Sequence, residues 1–166
     1  MLCSLGISVL LFLKSYNINM DKKKLATILG YLGLIPFFSL TLIFFISNFN
    51  NYVIDVYLFY GNIILAFICG SQWSKILNSN ILANRSLLLT LSVCIPVFSF
   101  ILDFFSNQDI KITIHVVLFF VINLIDKKIF LEPNNVWYLN IRKRLTFLVI
   151  LTLVINLFAV NSYRFL

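Results

Sequence analysis

The chain has 166 residues, of which 61% are hydrophobic, 11% are charged and 18 are phenylalanine. A soluble domain of this length has no interior large enough for that apolar excess, so a water-surrounded fold is excluded and most side chains must meet lipid. The net charge of +7 sits in short segments flanking apolar runs, which makes it a topology signal and not a nucleic-acid footprint.

Residues 1–19, MLCSLGISVLLFLKSYNIN, hold an apolar run too short to span, with no positive leading region and no clear small-residue cleavage site. They are expected to be a leader or a mis-called start. Met20, followed by Asp-Lys-Lys-Lys, then opens a single membrane domain over 20–166.

The first span is expected over 25–46, roughly 33 Å long against a hydrocarbon core of ~30 Å. It carries LGYLGLIPF, in which Gly30 and Gly33 lie on neighbouring turns and Pro36 removes a backbone donor. A kink and a close helix approach follow.

The second span is expected over 52–73 and contains YGNIILAFICGSQW. Asn62, Ala66, Gly70 and Ser74 recur every four residues, and Gly61, Leu65 and Cys69 lie in the adjacent row; small residues so spaced form a groove for another backbone. Asn62 needs a partner on a neighbouring helix, with Tyr60 one possibility, and Trp73 suits the headgroup level.

The third span, 86–105, carries Ser92, Pro96, Ser99 and Asp103 as a weakly polar stripe that should face the bundle. The fourth, 112–125, is short at roughly 21 Å; His115 and Asn123 put a polar edge on it, and a re-entrant segment is the competing reading. The stretch before the last span, 145–163, contains Trp137, Tyr138, Arg142, Lys143 and Arg144. Trp137, Tyr138, Arg142 and Arg144 are expected to anchor at the membrane surface, the arginines reaching toward phosphates.

The basic residues orient the bundle. With the stretch after Met20 inside, the inner segments hold Lys22, Lys23, Lys24, Lys75, Arg85, Lys127, Lys128, Arg142, Lys143 and Arg144, while the outer ones hold Lys111 and Arg164. The expected fold is therefore an all-α, polytopic bundle of five transmembrane helices, N-inside and C-outside.

Cys3, Cys69 and Cys94 show no paired metal-ligand spacing, and His115 is the one histidine. No cofactor and no metal site is expected. Nucleotide loops, nucleophile elbows and zinc-protease motifs are missing from the chain, so catalysis of the soluble type has no residues to stand on. Asp55, Asp103 and His115 all fall near the outer ends of their spans and form a candidate polar cluster, a protonation site if the helices bring them together.

LGYLGLIPF, YGNIILAFICGSQW, the Ser-x-x-x-Pro of the third span and PNNVWYLNIRKRLT together resemble the transmembrane protein 69-like family of bacterial and mitochondrial membrane proteins, a domain of unknown function. The likeness runs from Leu25 to about Val160. It implies a small multi-pass membrane protein and no particular reaction. Where relatives tend to have a glycine, a histidine and another glycine around the tryptophan, this chain has Cys69, Gln72 and Ser74, so any activity resting on that histidine is not expected here.

The functional expectation is a non-enzymatic helix-packing or assembly partner, in contact with the lipid bilayer and with other membrane proteins or itself, and not with nucleic acid. Two alternatives are a small-solute or ion carrier or channel subunit lined by Asn62, Ser92, Ser99, Asn123 and Asn156, and a membrane-embedded enzyme using His115. The expected location is a bacterial inner membrane, with the mitochondrial inner membrane as the alternative.

Overall fold

The computed structural model describes residues 22–48, 50–78, 84–105, 107–130 and 136–164; the expected leader, 1–19, lies outside them. The described residues form α1 (Lys22–Leu32), α2 (Ile35–Ile46), α3 (Asn51–Asn78), α4 (Arg85–Phe105), α5 (Gln108–Ile129) and α6 (Val136–Arg164). With α1 and α2 taken as one run, five helices are long and apolar enough to cross a membrane.

The break between α1 and α2 has a local cause. Pro36 sits at the second position of α2 and has no N–H to donate to Leu32. The Leu34 amide donates to the Tyr31 carbonyl at 3.0 Å, a tighter three-residue step, where the Gly33 amide still reaches Leu29 at 3.1 Å. α2 ends at Ser47, followed by Asn48 at φ 52°, a left-handed stop that asparagine tolerates.

α5 and α6 make the most extensive helix contact, α3 and α4 the next; α3 also packs on α2 and α5, and α1 leans on α6. Phe37 of α2 is sealed among Tyr57 and Tyr60 of α3 and Phe119 of α5, with ring centroids 5.3, 5.0 and 6.5 Å away in edge-to-face geometry. Hydrogen bonds stitch the same level. Tyr57 Oη and Thr152 Oγ1 are 2.7 Å apart, the Asn156 amide donates to Thr41 Oγ1 at 3.1 Å, and the Tyr60 hydroxyl donates to the Gly33 carbonyl at 2.9 Å. Outside, Phe67, Phe104 and Phe158 stand exposed, which is stable only where the surroundings are hydrocarbon.

Two helix lengths correct the sequence expectation. α5 has 22 residues instead of the 14 of 112–125, and at roughly 33 Å it is long enough to span. α6 starts at Val136 instead of near Leu145. At the end of α5 and the start of α6 charge ended the apolar run without ending the helix, because Asp126 and Arg142 are buried against each other. α3 likewise continues past Trp73 to Asn78, where the Asn78 amide donates to the Ser74 carbonyl at 3.0 Å and the Arg85 guanidinium donates to the Leu77 carbonyl.

The expected packing strip on α3 divides in two. Gly61 and Asn62 are buried, but Ala66, Gly70 and Ser74 are exposed, and a Cβ at Gly70 would meet nothing within 4 Å. Leu65 and Cys69, in the row of Gly61, are buried as well, together with Leu58, Gln72 and Ile76. Gly30 does mark a close approach: a Cβ there would lie 2.8 Å from Leu145 Cδ1.

Candidate functional site

Two buried polar clusters sit in opposite halves of the bundle. Their α3 members, Asn62 and Gln72, are ten residues apart in sequence, which puts roughly 15 Å along the helix between them. Between them lie Leu65, Phe119 and Ile122, all at 0% exposure, so the intervening layer is dry.

The first cluster is built on α3, α4 and α5. Ser99 Oγ donates to Asn62 Oδ1 at 2.5 Å, Asn62 Nδ2 donates to Asp103 Oδ2, and His115 Nε2 lies 3.2 Å from Asn62 Oδ1 and 3.3 Å from Ser99 Oγ. His115 Nδ1 is 2.9 Å from the Lys111 carbonyl on its own helix. Gly61 makes room for the imidazole: a Cβ there would stand 3.3 Å from His115 Cδ2. A cavity of ≈ 430 Å³ lined by Asp55, Leu58, Phe100, Asp103 and Lys111 lies at the cluster's outer side.

Two hydrogen-bond arrangements fit these distances. A ring that donates to both the Lys111 carbonyl and Asn62 Oδ1 carries two protons, and the Asp103 carboxylate, receiving the Asn62 amide, balances it. Turning the Asn62 amide over presents its N–H to His115 Nε2 and its carbonyl to Asp103. That arrangement suits a neutral ring and a protonated carboxyl with no movement of the helices. Asp55, expected in this cluster, is set apart: it is half-exposed and pairs with Lys111 Nζ at 3.3 Å. Tyr60, expected as a partner of Asn62, is committed to Gly33.

The second cluster joins α3, α5 and α6. Arg142 Nε donates to Asp126 Oδ2 at 2.7 Å, and Gln72 Nε2 donates to Asp126 Oδ1 at 2.8 Å. Arg142 Nη1 donates to Ser71 Oγ at 2.6 Å and to Tyr138 Oη at 3.2 Å. The guanidinium also stands over the rings of Phe130 and Tyr138 at 5.4 and 5.5 Å. Arg142, expected at the membrane surface, is thus turned into the bundle at 7% exposure, because Asp126 offers it a buried counter-charge.

Among the other expected anchors, Trp137 is half-buried with Lys23 Nζ 5.8 Å from its ring, Tyr138 is half-buried, and Arg144 is exposed. Sequence reasoning passed over Asp126, which sits next to Lys127 and Lys128 and reads there as part of a solvated run. The signal available was its distance of sixteen residues from Arg142 across the short connection between two spans. Gly33 and Pro36 form the α1–α2 break, and Trp73 is exposed at 40% near the end of α3. Among the described residues no group of three or more His, Cys, Asp or Glu is placed to hold a metal ion.

No curated protein and no solved structure matches the chain. One family does: residues 22–158 match the family described as "Protein of unknown function (DUF3429)". That match takes in four spans and most of the fifth, and the chain belongs to this family of unknown function, with helices compatible with a membrane protein.

Proposed function

We propose that the protein is a non-enzymatic docking partner for other membrane helices, oriented N-inside and C-outside in a bacterial inner membrane, and related to the transmembrane protein 69-like proteins it resembles. The observation that carries this reading is the division of labour on α3. Asn62 and Gln72 are engaged within the chain, while Ala66, Gly70 and Ser74, farther along the row that starts at Asn62, remain open, and a Cβ at Gly70 would meet nothing within 4 Å. In lipid, association comes from close van der Waals contact, and such a ridge admits a second backbone. A photo-crosslinking residue at position 70 tests it, with position 98 on the exposed side of α4 as the reference. Crosslinks to one discrete membrane protein from position 70 alone support the reading; lipid adducts from both positions overturn it.

A second reading, a proton-linked carrier subunit, is favoured by the His115–Asn62–Asp103 relay beside an open cavity. The dry layer of Leu65, Phe119 and Ile122 suits an occluded carrier better than an open channel. Flux of protons or small metabolites into proteoliposomes, lost in His115→Phe, supports this second reading; no flux above empty liposomes removes it.

A further inference from the structure

We infer that the cavity beside Arg142 is a binding site for an anionic phospholipid, its acyl chain lying among α1, α2 and α6 and a phosphate oxygen meeting the guanidinium. The cavity holds ≈ 370 Å³ and is lined by Ala26, Gly30, Phe37, Ile68, Trp137 and Arg142, among others. That volume lies in the range of small-molecule sites, and the lining is apolar apart from a few groups at one end, the usual form of a site for an amphiphile. It reaches the lipid-facing perimeter, because Leu29 and Phe67, both in its lining, are exposed.

Arg142 supplies the independent observation. It is more than nine-tenths buried and lines this cavity, yet its Nη2 has no hydrogen-bond partner among the described residues while Nε and Nη1 are fully engaged. Leaving such a donor unmet inside a protein is costly. An incoming acceptor relieves it with little rearrangement, since Asp126, Ser71 and Tyr138 already hold the guanidinium plane.

Charge selects the headgroup. The described residues at this end of the bundle include Lys23, Lys24, Lys75, Arg85, Lys127, Lys128, Arg142, Lys143 and Arg144 against Asp126. A phosphate that keeps a net negative charge is therefore favoured over a zwitterionic headgroup or a neutral carbonyl. The site is independent of the ridge on α3 and of the relay at His115.

The test uses the full chain with Trp73→Phe, so that Trp137 is the reporting tryptophan, in bilayers of brominated phosphatidylglycerol or brominated phosphatidylcholine. Quenching of Trp137 should favour the anionic lipid by about fivefold, the scale set by one cation near an anionic surface. The preference should vanish in Ala26→Phe, which fills the cavity without touching the Asp126–Arg142 pair, and in Arg142→Gln if that variant folds. Equal quenching by both lipids, a preference that survives Ala26→Phe, or displacement of the anionic lipid by a neutral short-chain quinone would each overturn the assignment. The first of these outcomes leaves a buried water as the partner of Nη2.

Discussion

Asp126 on α5 and Arg142 on α6 meet at 2.7 Å, both almost fully withdrawn from the surface, and hold together the two helices that pack most extensively. Gln72 from α3 completes the carboxylate and Ser71 the guanidinium, so three spans depend on one ion pair. The pair also explains why both helices continue through charged residues.

Removing one member of that pair should be far more damaging than removing both. Arg142→Met is expected to cost ~3–5 kcal/mol by stranding a buried carboxylate, and the double variant Asp126→Leu with Arg142→Met to cost clearly less than the sum of the two single changes. Reversible unfolding in mixed micelles of the four proteins measures the coupling. Strict additivity would show that the two groups do not interact.

Three glycines should rank by what stands over them. Gly61→Ala pushes on an imidazole pinned by Lys111 and Asn62 and is expected to cost ~1–3 kcal/mol, the scale of overpacking. Gly30→Ala presses on the free end of Leu145 and otherwise makes ordinary contact with Ile141, so it should cost less, with Leu145→Ala relieving it. Gly70→Ala should leave the isolated chain as stable as before or slightly more so. Thermal unfolding in detergent gives the order, and a Gly70→Ala loss comparable to that of Gly61→Ala would contradict it.

In the His115 cluster, Ser99→Ala should cost ~0.6 kcal/mol, the average for one hydrogen bond between membrane helices. Asn62→Leu strands Ser99, His115 and Asp103 at once and should cost ~2–3 kcal/mol. The comparison separates a linked network from independent bonds: if the two variants melt together, Asn62 does not bridge His115 and Asp103.

Orientation is testable by cysteine labelling in intact cells on a background lacking Cys3, Cys69 and Cys94. Lys111→Cys should react with an impermeant reagent added outside, and Lys127→Cys only after permeabilisation. The opposite pattern would invert the proposed topology.

That the chain is a bundle of five apolar helices was legible without coordinates, because a spanning segment must satisfy its backbone internally and present hydrocarbon to hydrocarbon. The kink at Pro36 was legible for a similar reason, since a missing N–H is a local fact. Which side of α3 faces inward was not. That helix is apolar nearly all round, so the four-residue recurrence of Asn62, Ala66, Gly70 and Ser74 identifies a row without saying where along it the neighbours stop. Asn62 is inside where α4 and α5 reach it, and Ala66 and Gly70 lie outside.

The fate of Arg142 shows the same limit. Composition near the last span assigns a basic residue to the headgroups, and only the meeting of α5 with α6 brings a carboxylate close enough to draw it in. Lipid as solvent therefore determined the number of crossings and the placement of charge along the chain, through energies each segment feels alone. Tertiary structure decided which polar groups find each other, because a hydrogen bond or ion pair depends on the rotation and depth of two helices at once.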